Sequence, residues 1–358
     1  MAEILRYCDP NAAAGGNGTT NALSGGNCAY VSLNAWEAAT QQDLVTGSNT
    51  ARVVCSSDDA GSTHAADTTS VSIDGWTTNA TCHIAIEAAS SHGGKWNNSI
   101  YRLNSNYFQI VEGNVRVSGL LIGNNGAAGA YLFHCQPGAE VCDYQFYNVI
   151  VINSAASGQF GSIGIEGTPS ASSSVKINNC IGITGNTSTG RNARFNHANW
   201  VGYIENCNII GAGYGAGCAM TAGTWHVKNT YSGNHASGSD YATGGTIDYT
   251  TCASSDSTNR GAGVTASIAY STSSGAYFTN VTAGSEDLHI GVSSSLKDVG
   301  TDLSADAGWI ADGPIDIDGV ARTGTWDIGA DEYVAAGGSA IPHNPMGFPF
   351  FGPLGGPL

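Results

Sequence analysis

The sequence predicts an all-β fold: a single-stranded, right-handed parallel β-helix with a short N-terminal capping helix. Three observations carry that expectation. A short strand pattern occurs three times, as VKINNCIGI at 175–183, YIENCNII at 203–210 and WHVKNTYS at 225–232. Its asparagines, Asn179, Asn206 and Asn229, fall 27 and then 23 residues apart, the period of a solenoid whose coils each contribute one such strand. The 358 residues include 50 glycines and only 11% charged side chains, which suits many tight corners and few long helices. Parallel crossovers are nearly always right-handed, which sets the hand.

Within each copy apolar and polar residues alternate, so one side of each strand must be buried, and a lone strand cannot do that. Stacking the copies can, with Val175, Ile177, Ile204 and Val227 facing inward. Asparagine suits the corner because it tolerates left-handed backbone, and its amide can bond the equivalent amide one coil away. Cys180 and Cys207 share the next position and are expected to form a ladder of buried free thiols. The ten cysteines are spread along the chain with no CxxC pair, which leaves disulfides elsewhere open.

In chain order, residues 1–50 are expected to form an N-terminal cap. Its helix lies in VSLNAWEAATQQDL at 31–44, with Leu33, Trp36 and Ala39 at helical spacing and Asn34 with Glu37 as a capping box. The coils follow from 51 to 297, with strand signals at 52–56, 70–73, 83–89, 107–123, 144–153, the three copies, 246–253, 267–271 and 276–283. An acidic closing segment spans 298–334. The tail, 335–358, holds five of the nine prolines together with Met346, Phe348, Phe350 and Phe351, and reads as an extended docking peptide.

Charge narrows the function. A net charge of −16, with four lysines and eight arginines, argues against nucleic acid or anionic membrane as a partner. No apolar run reaches the ~18–20 residues of a membrane span. The start, MAEILRYCDP, lacks the basic and apolar regions of a secretory signal, so synthesis in a cytoplasm is expected.

Candidate chemistry is sparse. Arg194 and His197, in a basic stretch read as a loop between two coils, are the best catalytic pair; a subunit contact or a surface salt bridge competes. Glu205 and Asp248 lie in strand repeats and could stack on one face. A glycosidase needs two carboxylates ~5–10 Å apart, and a lyase needs a base beside charge neutralisation. Trp200, Tyr203, Tyr214, Trp225 and Tyr231 could stack on sugars or pack the wall. Asp316 and Asp318 begin a D-x-D-G run of the kind found in calcium loops. Turn capping, or a pair between Arg322 and an aspartate, competes there. No catalytic set emerges, and Ca²⁺ is the one cofactor raised.

The segment FTNVTAGSEDLHI…SSSLKDVG…PIDIDGVARTGTWDIGADEY, within 278–333, resembles the C-terminal end of many right-handed parallel β-helix proteins. The matching residues are Asp287, Leu288, Asp298, Gly300, Asp316, Asp318, Gly319, Arg322, Asp327, Ile328, Gly329, Ala330, Glu332 and Tyr333. Leu-Lys precedes Asp298 where that group usually has Ala-Ile. YVSLNAWEAA, VSIDGWTTNATCHIAI and the run His92-Gly-Gly-Lys-Trp96 are similar to β-helix proteins of bacteriophage genomes. The resemblance implies a structural component of a phage virion: a capsid decoration, fibre or spike. Its partners would be other virion proteins, with a homo-oligomer, a trimer for preference, and a surface glycan as a further partner. A glycan-cleaving tailspike, lyase or hydrolase is the first alternative, and a non-catalytic carbohydrate-binding adhesin the second.

Overall fold

The computed structural model describes every residue except 58–63, 125–130, 155–159, 186–190, 212–216, 236–238, 258–260, 311–314 and 336–358. The described residues are nearly all β, arranged as three long parallel sheets of nine, eight and seven strands. Successive strands visit the three sheets in turn. Ser173–Asn178 lies in the first sheet, Ile181–Thr184 in the second and Arg191–Phe195 in the third, and Trp200–Glu205 returns to the first. Each circuit pairs in register with the next, as in Ile177 with Ile204 and Ile204 with Val227.

Register stacks like on like. On the inner face of the first sheet Val53, Ile86, Val117, Phe146, Ile177, Ile204, Val227 and Tyr249 form one row. All are buried in one continuous core, which the inner faces of the other two sheets complete. Burial of each such side chain is worth about 1.5–3 kcal/mol. The parallel row holds Gly202 between Val175 and Trp225. A Cβ there would lie 1.9 Å from the Trp225 ring, so the glycine is the space into which that ring packs.

Between the first and second sheets the chain turns at one residue. Gly119, Asn148, Asn179, Asn206, Asn229 and Thr251 occupy this position in six consecutive circuits, all with positive φ. Asn179 N donates to Glu205 O at 3.1 Å and Asn206 N to Lys228 O at 3.0 Å, so the backbone ladder continues through the corner. The expected amide-to-amide bonds do not form. Asn179 Nδ2 donates instead to Ile315 O, and Asn229 Nδ2 to Thr301 O, both in the C-terminal segment. Among the described residues Asn206 has no partner at either side-chain atom. The next position points inward: Cys180, Cys207, Thr230 and Cys252 direct sulfur or hydroxyl at carbonyls of the preceding circuit. All ten cysteines are buried and unpaired.

The N-terminus differs from expectation. Ala2–Cys8 is a strand that extends the first sheet beside Asn49–Cys55, although its sequence lacks alternation. The helix is shorter, Leu33–Thr40, and its N-cap is Ser32, whose hydroxyl accepts from Ala35 N, not Asn34. Glu37 accepts instead from Gln41 Nε2 and Asp74 N. Leu33 and Trp36 enter the core, but Ala39 is exposed. Buried Asp67 fixes the helix start by accepting from Leu33 N at 2.7 Å.

The parallel strands end at Thr265. The strand expected at 267–271 is absent, and that at 276–283 shrinks to Phe278–Asn280, paired antiparallel with Asp287–Ile290. From there to Tyr333 the described residues cover the outer face of the second sheet, with those at 306–310 reaching onto the outer face of the first. Leu121, Ile150, Ile181, Ile183 and Ile210 on that face pack with Phe278, Leu288, Leu296, Ile317 and Ile328 in a second core. The tail residues Met346, Phe348, Phe350 and Phe351 lie outside the described residues.

Candidate functional site

Arg194 does not sit in a loop. It lies in the strand Arg191–Phe195, facing outward because its neighbours Ala193 and Phe195 fill the core. Register places Arg194 beside Gly164, and Gly164 beside His134. The missing side chain at 164 matters, since a Cβ there would lie 2.4 Å from Tyr131 Cδ2. Tyr131 covers the glycine and packs against the His134 ring at 5.6 Å. Glu166 joins the two charges: Oε1 is 2.8 Å from Arg194 Nη1, and Oε2 is 3.1 Å from His134 Nε2. Next to His134, Gln109 donates to Gln136 at 3.2 Å. The outer face of the third sheet thus carries a polar strip built on one carboxylate, one imidazole and one guanidinium.

The other candidates do not join it. His197 lies in the turn back to the first sheet, where Nδ1 accepts from Asn199 N. Glu205 and Asp248 both face out from the first sheet but are two circuits and two residues out of line. Asp248 is exposed, 3.7 Å from His226 Nδ1. Glu205 is fully buried beneath the C-terminal segment, between Asn178 Nδ2 at 3.3 Å, Lys228 Nζ at 4.0 Å and Asp306. Lys228 also bridges to Asp306. Burial pushes the Glu205 carboxyl up to about 8; the neighbouring Asp306 adds to this, and Lys228 and Lys176 oppose it. These two carboxylates are not a pair across one substrate bond.

Asp316 and Asp318 also separate. Asp316 Oδ1 accepts from Asp318 N and Val320 N, and Oδ2 from Glu332 N, so its carboxylate closes turns. Burial raises it to about 6, against the pull of Arg322. Arg322 is itself buried and pairs with Glu332 at 3.1 Å rather than with an aspartate. Its Nη2 donates to Gly329 O, Ala330 O and Asn179 Oδ1, which ties the segment to the corner ladder. Gly329 reaches that corner with φ 107°, and a Cβ there would lie 2.5 Å from Asn208 Oδ1. Asp318 turns instead to His289 Nε2, at 2.9 Å.

Sequence reasoning missed two histidine–aspartate pairs. His235 Nδ1 and Asp240 Oδ1 are 2.7 Å apart with both side chains almost wholly buried. Asp240 Oδ2 accepts from Ser254, Ser255 and the Asp256 amide, and among the described residues no bond reaches His235 Nε2. His289 is the second, held by Asp287 as well as by Asp318. The one signal for it was Asp287-Leu-His289, which alternates within a strand. Of the large aromatics, Trp200, Trp225 and Tyr231 are fully buried wall or core residues, and Tyr203 stacks on His226. Tyr214 lies outside the described residues. No protein-family model, curated protein or solved structure matches the chain.

Proposed function

We propose that the chain is a right-handed parallel β-helix serving as a non-catalytic structural component of a phage virion. It would be made in the host cytoplasm and built into the particle as a homo-oligomer, a trimer for preference, alongside other virion proteins. The observation that carries this reading is that Arg194, Glu205 and Asp316 are committed to holding the molecule together, while Asp248 is exposed and two circuits from Glu205. Glu166 neutralises Arg194 and faces His134, Glu205 is sealed with Lys228 and Asp306, and Asp316 is spent on backbone amides. A general acid or base needs a proton it can exchange with a substrate in reach.

The test is incubation of the intact protein with host-surface polysaccharides, followed for new reducing ends and unsaturated products. The expected result is no turnover, with Arg194→Ala and Glu166→Gln indistinguishable from the parent. Turnover lost in either variant would overturn it. For the tail, deletion of 335–358 should leave a folded protein that no longer assembles, read by light scattering and particle binding. Unfolding of the truncated chain would instead place the tail in its own core.

A second reading, a glycan-binding adhesin, is favoured by the polar strip of Gln109, Gln136, His134, Glu166 and Arg194. Such a strip offers amide, imidazole, carboxylate and guanidinium groups as donors and acceptors to a hydroxyl-rich ligand. Polysaccharide retention lost in Arg194→Ala, without cleavage in the parent, would select it.

A further inference from the structure

Where the C-terminal segment crosses the loop at 92–96, one atom each from His289, Asp318 and Asp331 lies within 4.8 Å of the others. We propose that these three side chains bind a divalent transition-metal ion of the zinc class, pinning the strand Asp287–Ile290 to the later turns of the C-terminal segment at Asp318 and Asp331.

The donor set fits that class. One imidazole and two carboxylates suit zinc and its neighbours, whereas calcium takes six to eight oxygens. His289 Nε2 and Asp318 Oδ1 are 2.9 Å apart, near the ~3.3 Å edge of a tetrahedron with ~2.0 Å bonds. Asp331 is buried, and its Oδ2 is anchored by Ile290 N at 2.7 Å, so it approaches the imidazole in a fixed orientation. Independently, Asp287 engages His289 Nδ1, the arrangement in which an outer carboxylate fixes the tautomer and presents Nε2 to a metal. Lys95 holds the far oxygen of Asp287 at 3.2 Å. Gly94 closes the other side, because a Cβ there would lie 2.4 Å from Asp318 Oδ1 and 2.5 Å from His289 Nε2. On binding, the ion replaces the Nε2 proton, which leaves to solvent, and no redox change is involved.

Full-length protein stripped with chelator is titrated with Co²⁺, read by visible absorption, and with Zn²⁺, read by calorimetry. The expected result is one saturable site with the spectrum of nitrogen and oxygen ligation. His289→Ala should abolish it, and Asp331→Asn, which keeps an acceptor for Ile290 N, should weaken it at least tenfold. Asp287 is a positioning residue: Asp287→Asn should weaken Co²⁺ about 10–100-fold and shift its spectrum. Asp248→Asn, exposed on the first sheet and remote from the site, should stay within about twofold. Circular dichroism confirms intact sheets in each variant. A thiolate charge-transfer band, tighter binding of Ca²⁺ than of Zn²⁺, Asp331→Asn binding as the parent does, or no saturable site would each overturn the assignment.

Discussion

The molecule has two cores built on opposite plans. The inner core repeats: one position of each circuit stacks on the same position of the next, and apolar side chains fill it. The outer core does not repeat. A single segment, 266–333, lays Phe278, Leu288, Ile317 and Ile328 on the second sheet and interleaves them with buried Asp316, Arg322, Asp327 and Asp331. Repetition gives nearest-neighbour cohesion that needs no unique partner. The covering segment has no repeat to align it, so its position rests on directional bonds. Buried charge of this kind fixes one arrangement and is costly to break.

The largest expected effect therefore lies at Arg322. Arg322→Ala leaves Glu332 buried without its partner and removes the donors to Gly329 O, Ala330 O and Asn179 Oδ1. Docking of the segment should weaken by about 3–5 kcal/mol. Hydrogen exchange should rise across 287–333 and on the outer face of the second sheet, while the first and third sheets stay protected. Arg322→Lys should fail nearly as badly, since one ammonium cannot serve so many acceptors. Uniform loss of protection in all three sheets would mean that the two cores are one cooperative unit.

Next is a change confined to the inner core. Gly202→Ala forces a methyl into the Trp225 ring, and overpacking of this kind costs about 1–3 kcal/mol. Gly138, where a Cβ meets nothing within 4 Å, is the control and should be near neutral as alanine. The inner-core variant should lower the midpoint of global unfolding and leave the relative protection of 287–333 unchanged.

The pH dependence separates the cores again. Glu205 titrates at about 8 when folded, above the usual glutamate value near 4.5, mainly through burial. A raised carboxyl favours the folded state below its unfolded value, and that advantage is lost as pH rises toward the folded one. Glu332, raised to about 7, and Asp316, to about 6, act with the same sign. Asp306 is lowered in spite of its burial, through Lys228 and the Gly308 amide, so its contribution is lost only in acid. Docking around 306–309 should loosen between about pH 5 and pH 8, and Glu205→Gln should flatten that slope. Tighter docking at pH 8 than at pH 5 would contradict the assignment.

The two plans also explain what the sequence discloses. The first sheet is legible because its strands alternate and end on Asn179, Asn206 and Asn229. The third is hard to read: Phe133–Cys135 and Cys218–Met220 are three residues long, too short to show a period. In the second sheet, the stretches 149–152 and 180–183 are unbroken apolar runs, the mark of strands buried on both faces. That pattern says a cover exists and not which segment supplies it. Sites suffer likewise. Arg194 is conspicuous in sequence, yet Glu166 and His134 reach it only through third-sheet register. His289 and Asp318 meet only where the segment crosses the loop at 92–96.

The smallest expected effect is at Asn206, where the two plans touch. Its neighbours in the ladder are claimed by the covering segment: Asn179 by Ile315 O and Arg322, Asn229 by Thr301. Asn206 keeps the left-handed backbone, φ 50°, with neither amide atom bonded. A buried amide without partners costs about 1–3 kcal/mol relative to its hydrated state, while glycine adopts positive φ freely but loses more entropy on folding. These terms nearly cancel. Asn206→Gly should leave stability unchanged or raise it by up to about 1 kcal/mol in chemical denaturation. Asn206→Ala should fall about 1–2 kcal/mol below Asn206→Gly, because alanine meets the left-handed penalty that glycine escapes. Asn179→Gly should lose about 1–3 kcal/mol with its bonds to the segment. Equal losses at 179 and 206 on change to glycine would show that the amides bond one another along the ladder, and that the corner belongs to the repeating core alone.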